Sequence, residues 1–267
     1  MREKIYSQDI KPFVEPSAFS ISLDDKEKGG VRFRRSTLIR QRQSVTHFID
    51  SVDDNSFDDK GLFRIALKPS GKLFRYNLGP KNEGFVLCRE CGKSDPKLLH
   101  RHGRSHKKLR AYSKRNNCSG QFLPTPIAYG HQFESYCLII RPVNQPVSIP
   151  SLAYALQKSL CNVLELDPFD IGVSWRWLVN KQTEIILYDN TPGGAGFVKE
   201  GKDNWQKVIN EALACCTNCK CESACYECLK NYGNQTYHDI LNRMEVISFL
   251  SGEKKTSISL EEQKQGG

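Results

Sequence analysis

Six of the eleven cysteines of this 267-residue chain fall between Cys215 and Cys228. Within that run the spacing C-x-C-x3-C-x2-C sets Cys219, Cys221, Cys225 and Cys228 in ten residues, a pattern that short loops can wrap around one ion. Zn2+ takes four thiolates as a tetrahedron, and four protein ligands leave no open coordination position, so the site expected here is structural rather than catalytic. Cys216 is an alternative first ligand, because Cys216 to Cys219 is also C-x2-C. An iron–sulfur cluster makes the same demand for four cysteines, and a set of free thiols is the remaining alternative. With an odd cysteine count and no apolar signal-peptide core in MREKIYSQDI, a disulfide framework is not expected, and the default location is the cytosol.

A second group is looser. Cys88-Arg89-Glu90-Cys91 forms a knuckle, Cys118 offers a third ligand, and of the histidines between them His106 is the favoured fourth, giving a candidate Cys3His zinc site. The loop it would anchor is basic. Arg101, Arg104, Lys107, Lys108, Arg110, Lys114 and Arg115 lie in a stretch without a single acid, suited to phosphate contacts that do not read sequence. The stretch 31–42 carries five further arginines, and the chain as a whole has a net charge of +9, which points to a polyanionic partner. Both stretches also read as ordinary solvated loops. No apolar run approaches the roughly 20 residues that span a bilayer, so no membrane partner is expected.

Periodicity sorts the rest into an α+β (mixed α/β) fold, an antiparallel or mixed sheet with flanking helices and inserted zinc-binding elements. Residues 1–60 read as irregular. GLFRIALK and KLFRYNLG alternate around Pro69-Ser70-Gly71 and read as a hairpin, opening a β-rich, zinc-ribbon-like region over 61–130. A buried strand is expected over 131–141, a helix over 151–166 with Ser151 as N-cap, and strands over 171–179 and 183–189. Helices are expected over 203–215 and 237–251, and a disordered tail from 252 to 267. Thr191-Pro192-Gly193-Gly194-Ala195-Gly196 joins strand to helix; it has no lysine, so it is no nucleotide loop, and close packing or an anion contact are its two readings.

LYDNTPGGAGF, a helix, and then CKCESACYECLKNYGNQTYHDILNR resemble the MrfA-like zinc-binding domain. That family occurs at the C-terminus of superfamily 2 DNA helicases and of DrmB-type proteins of the DISARM antiphage system. The likeness is specific in the glycine turn, the cysteine spacing, Asn234-Gln235, His238, Leu241 and Arg243, and looser at Phe13-Val14-Glu15-Pro16 and CRECG. It implies that Cys219, Cys221, Cys225 and Cys228 hold zinc in a domain over 131–251. It also implies a role in DNA processing, antiphage defence or DNA repair, with a helicase-like partner and DNA ahead of RNA. Neither G-x-x-x-x-G-K-[ST] nor a DEAD/DEAH box is present. The expectation is therefore a non-catalytic module that is either a fragment or the companion of a separate motor. Two alternatives stand beside it: a metal-dependent nuclease built on Asp189, Asn190, His238 and Asp239, and a pure protein–protein scaffold.

Overall fold

The structure, a computed structural model, describes residues 13–14, 44–77, 79, 83–88, 94–96, 106–107, 117–118, 122–143, 147–178, 182–191 and 193–252. Its strands are β1 (Phe13–Val14), β2 (Ser44–Phe48), β3 (Asp58–Asp59), β4 (Phe63–Asn77), β5 (Phe85–Leu87), β6 (Ser94–Pro96), β7 (His106–Lys107), β8 (Asn117–Cys118), β9 (Ala128–Pro142), β10 (Ile171–Trp177) and β11 (Thr183–Asp189). Its helices are α1 (Ile149–Val163), α2 (Phe197–Asp203), α3 (Trp205–Asn218) and α4 (Arg243–Leu250), with a 3-10 segment over Tyr232–Tyr237. The main sheet runs β10-β11-β9-β4-β2, with β3 on β4 and a parallel β1 on β9. It is thus a mixed sheet in an α+β fold. No helix among the described residues is long and apolar enough to cross a membrane.

The chain divides into two compact units, residues 1–49 with 72–133 and residues 50–71 with 134–267. The second unit holds the larger core. Every residue of β11 is buried, which fits the apolar IILY run at its centre. Helix α1 is buried on nearly all sides, from Ile149 through Cys161. Ser148 caps it by accepting from Ser151 N, and Pro150 sits in the first turn, where a missing N–H costs nothing. The cap is therefore Ser148 rather than Ser151, whose buried hydroxyl instead accepts from Asn242 N at 2.9 Å. The helix closes when Glu165 turns left-handed, with φ of 54°, and Leu166 N donates back to Cys161 O at 2.9 Å. Against α1 lies α2, so close that a methyl group on Gly201 would stand 2.3 Å from Leu160 Cδ1.

Beneath this core lies a buried charge network. Glu184 is fully buried on β11; its carboxylate takes Arg141 Nη2 at 2.7 Å and Arg176 Nε at 2.6 Å. Arg141 also pairs with Asp54 and lies 3.9 Å from the centre of the Phe57 ring, while Arg176 donates to Asp50 O at 2.7 Å. Two arginines on the sheet thereby hold the segment that leads into β4. That guanidinium holds the exposed Asp54 carboxyl below the usual carboxylate range, first through its hydrogen bond and then through its charge.

Other expectations change as well. The hairpin over 61–79 is one strand: Pro69 and Ser70 lie exposed between the registers of β3, opposite residues 64–65, and β2, opposite residues 73–77, and Gly71 is buried without a positive φ. A local turn signal is overridden because both halves find partners in the same sheet. Residues 44–48, read as irregular, form β2 by pairing with the second half of β4. The helix expected over 203–215 is α3, and a separate helix not expected, α2, precedes it, with Asn204 ending one and beginning the other. The last helix begins only at Arg243, capped by Asn242. The tail beyond residue 252 lies outside the described residues.

Removing the partner of a buried charge is costly, so Glu184→Ala should destabilise the chain by about 3–5 kcal/mol. A urea midpoint equal to that of the parent would show that the network does not hold the sheet.

Candidate metal centre

Helix α3 ends at Cys219, whose extended backbone turns the chain out of the helix and into the knuckle. From there the side chains of Cys219, Cys221, Cys225 and Cys228 converge, with their four Sγ atoms all within 4.8 Å of one another. The sulfurs of Cys219 lie 3.4 Å from Cys221 and 3.3 Å from Cys225, and those of Cys228 lie 3.6 Å from Cys221 and 3.9 Å from Cys225. A tetrahedron of thiolates about 2.3 Å from one zinc ion has edges of about 3.8 Å. The donor set therefore fits a single tetrahedral ion, and that space does not suit a polynuclear iron–sulfur core. As free thiols the four are unequal. Cys221 is pushed up to about 12, by burial first and then by its contacts with the other three sulfurs. For Cys225 burial acts upward, but Cys219 and the amides of Glu227 and Cys228 outweigh it and bring it down to about 7.

The surroundings hold this geometry. Cys225 O collects amides from Cys228 at 3.2 Å, Leu229 at 3.1 Å and Lys230 at 2.8 Å, and Cys225 N donates to Cys228 Sγ at 3.2 Å. Arg243, at the start of α4, donates through Nε to Cys221 O at 2.6 Å and through Nη1 to Cys216 O at 3.0 Å. The second contact satisfies a carbonyl left open by the end of α3. From α1, Lys158 Nζ reaches Tyr226 O at 2.9 Å. Cys216 is not part of the cluster; it is fully buried on α3, and burial pushes its thiol up to about 12.

After the knuckle the chain is fastened by amide side chains. Buried Asn234 donates to Leu229 O at 2.8 Å and accepts from Asn231 N at 2.8 Å, while Asn231 Oδ1 accepts from Gly233 N and Asn234 N. His238 Nε2 lies 2.9 Å from Asn234 Oδ1 and 3.2 Å from Asn231 O. Both partners are acceptors, so the proton is assigned to that nitrogen. His238 thus serves this fastening, and it packs edge-on against Tyr226.

Asp189 is equally committed. Its buried carboxylate, at the end of β11, accepts from Gly196 N at 2.5 Å, Phe197 N at 3.1 Å and Val198 N at 2.9 Å. The anion at this strand-to-helix turn is therefore an internal one, capping α2. Packing accounts for the rest of the turn, since a Cβ on Gly194 would lie 2.4 Å from Tyr136 Cδ2. Among the described residues the four cysteines are the one group of three or more His, Cys, Asp or Glu placed to share a metal, and neither Asp189 nor His238 joins such a group.

In the first cysteine group, Cys88 follows β5 directly, buried and joined to Phe122 by a backbone bridge. His106 on β7 stands opposite Cys118 on β8 in the backbone register, and Lys107 stands opposite Asn117. Cys91, Arg101, Arg104, Lys108, Arg110, Lys114, Arg115 and the arginines of 31–42 lie outside the described residues.

The stretch that holds this site, residues 152–229, matches the family model of the MrfA Zn-binding domain. That match takes in under a third of the chain. The Druantia protein DruE of Escherichia coli (strain UMEA 4076-1) is 28% identical over 211 residues, covering 67% of this chain and 11% of DruE. The chain thus spans about a ninth of that relative. Of solved structures, the crystal structure of the DUF1998 helicase MrfA bound to DNA aligns with 79% of this chain and 25% of its own, at 15% identity and a TM-score of 0.46. The matched segment runs from α1 through the β10–β11 hairpin, α2 and α3 to the knuckle, and Arg243, which clamps the knuckle, lies beyond it.

Outer contacts of this kind tune metal affinity by about 10- to 100-fold. Arg243→Ala should weaken metal retention by a factor in that range while circular dichroism stays native. Competition with a chromophoric chelator measures it, and an unchanged affinity would reduce Arg243 to a packing role.

Proposed function

We propose that this chain is a non-catalytic zinc module that acts in DNA processing for antiphage defence, in company with a helicase-type motor. The observation that carries the reading is the convergence of four sulfurs at tetrahedral spacing inside a segment that matches the MrfA Zn-binding domain. Similarity to a Druantia protein supports the defence setting. Zinc, held by Cys219, Cys221, Cys225 and Cys228, supplies cross-linking rather than chemistry, because four thiolates leave no position for water or substrate. A non-catalytic role is further supported by Asp189, whose carboxylate caps α2, and by His238, whose Nε2 fastens the Asn231–Asn234 turn.

A second ion on Cys88, Cys91, Cys118 and His106 belongs to the same proposal, supported by the register that sets His106 opposite Cys118. The basic residues Arg101, Arg104, Lys107, Lys108, Arg110, Lys114 and Arg115 between these ligands are proposed to meet phosphate.

Metal content by mass spectrometry tests the reading directly. Two zinc ions per chain are expected, with one lost in Cys225→Ser and the other in Cys88→Ser. One ion, lost only with Cys225→Ser, would remove the second site. Iron in place of zinc, or no metal, would overturn the proposal, as would absence of any DNA binding by the metal-loaded chain at low salt.

A further inference from the structure

Charge is divided between the two units as sharply as fold. Residues 1–49 and 72–133 contain 23 Lys or Arg against 9 Asp or Glu, a net +14, whereas residues 50–71 and 134–267 contain 16 against 21, a net −5. The whole positive excess thus belongs to the unit without the C-terminal knuckle. A polyanion would be drawn to that first unit, and its part of the sheet offers a surface suited to the bases of such a ligand.

Strands β2 and β4 pair with His47 opposite Phe74 and Val45 opposite Tyr76. Cross-strand partners and alternate residues share a face, so Val45, His47, Ile49, Lys72, Phe74 and Tyr76 all point the same way. The opposite face carries the buried Phe48 and Leu73. On the first face the rings form a row. His47 stacks on Tyr76 with centroids 5.3 Å apart and planes 13° apart, and Tyr76 stacks on Phe74 at 5.6 Å and 27°. A bond of 2.8 Å between His47 Nε2 and the Tyr76 hydroxyl locks the pair. On neighbouring β9, Gly130 leaves room for the row: a Cβ there would meet Phe74 Cζ at 2.9 Å and Tyr76 Cβ at 3.1 Å. The row is not sealed off. His47 and Lys72 are exposed, Val45 and Ile49 are 39% and 41% exposed, and Phe74 and Tyr76 are half-buried. No acid occurs in residues 44–49 or 72–77.

We propose that this face is a platform for single-stranded nucleic acid, on which unpaired bases stack against the His47–Tyr76–Phe74 row while Lys72 meets phosphate. It rests on the DNA-processing reading above and adds the strandedness of the ligand and the residues that hold it. A duplex keeps its bases stacked on one another and offers this row nothing, whereas every unpaired base has a face to stack.

The test is fluorescence polarisation of the full, zinc-loaded chain with labelled oligothymidylate, an oligouridylate and a duplex of equal length, over a salt series. His47→Ala and Tyr76→Ala should each weaken binding to the single strands about tenfold, by the same factor at every salt concentration, because stacking is not ionic. Tyr76→Phe, which keeps the ring, should bind as the parent does. Lys72→Ala should instead lower the salt slope by about 0.7. If Tyr76→Ala fails to fold, the exposed His47 decides alone. Parent-like binding of single strands by His47→Ala and Tyr76→Ala would overturn the platform and leave the DNA-processing reading intact. A chain that binds none of the three ligands would overturn both. Weaker binding to oligothymidylate than to oligouridylate would assign the platform to RNA.

Discussion

Four thiols held within 4.8 Å of one another are the constraint on which the C-terminal half of this chain depends. Ionised together without a cation they would repel, and protonated together they would gain little from such proximity, so the arrangement makes sense around one ion. What surrounds them follows from it. The end of α3 delivers Cys219, the turn at Cys225 delivers the last two sulfurs, and Arg243 ties Cys221 of the knuckle to the Cys216 carbonyl of α3. The amide fastening of Asn231, Asn234 and His238 then carries the chain on to α4. Small loops of this kind bury little apolar surface of their own, and a metal cross-link replaces the core they lack.

The other half of the domain is held by quite different means. A fully buried strand, β11, carries two carboxylates, and both are satisfied internally. Glu184 binds two arginines, and Asp189 binds three amides at the start of α2. Each of these buried carboxylates is hydrogen-bonded within the fold, which offsets the cost of its burial. This arrangement also separates a structural reading from an enzymatic one. Asp189, the glycine-rich turn after it and the distant His238 resemble parts of a hydrolytic site, yet in the fold Asp189 holds the amides of that turn and His238 bonds Asn234 and the Asn231 carbonyl.

The division of charge between the units gives the molecule two chemically distinct parts. One is acidic and organised around a metal knuckle; the other is strongly basic and carries a row of aromatic rings on one face of β2 and β4. The pattern is what a protein needs if one part is to meet nucleic acid and the other is to remain clear of it.

The knuckle was legible in the sequence because its ligands lie within ten residues, where spacing alone limits the geometry. Strands β9, β10 and β11 and the body of α1 were legible for the same reason, since their apolar periodicity is local. Which cysteines take part was decided by the fold: Cys216 has ligand spacing, but its place on α3 turns it into the core. Pro69-Ser70-Gly71 carries every local mark of a turn, and only the partners offered by β2, β3 and β9 draw it out into one strand. The anion at the glycine turn, the clamp by Arg243 and the ring row on β2 and β4 join residues 7, 22 and 29 positions apart. Sequence fixes the chemistry a short segment can offer; contacts between distant segments depend on how the sheet closes, and no local pattern encodes them.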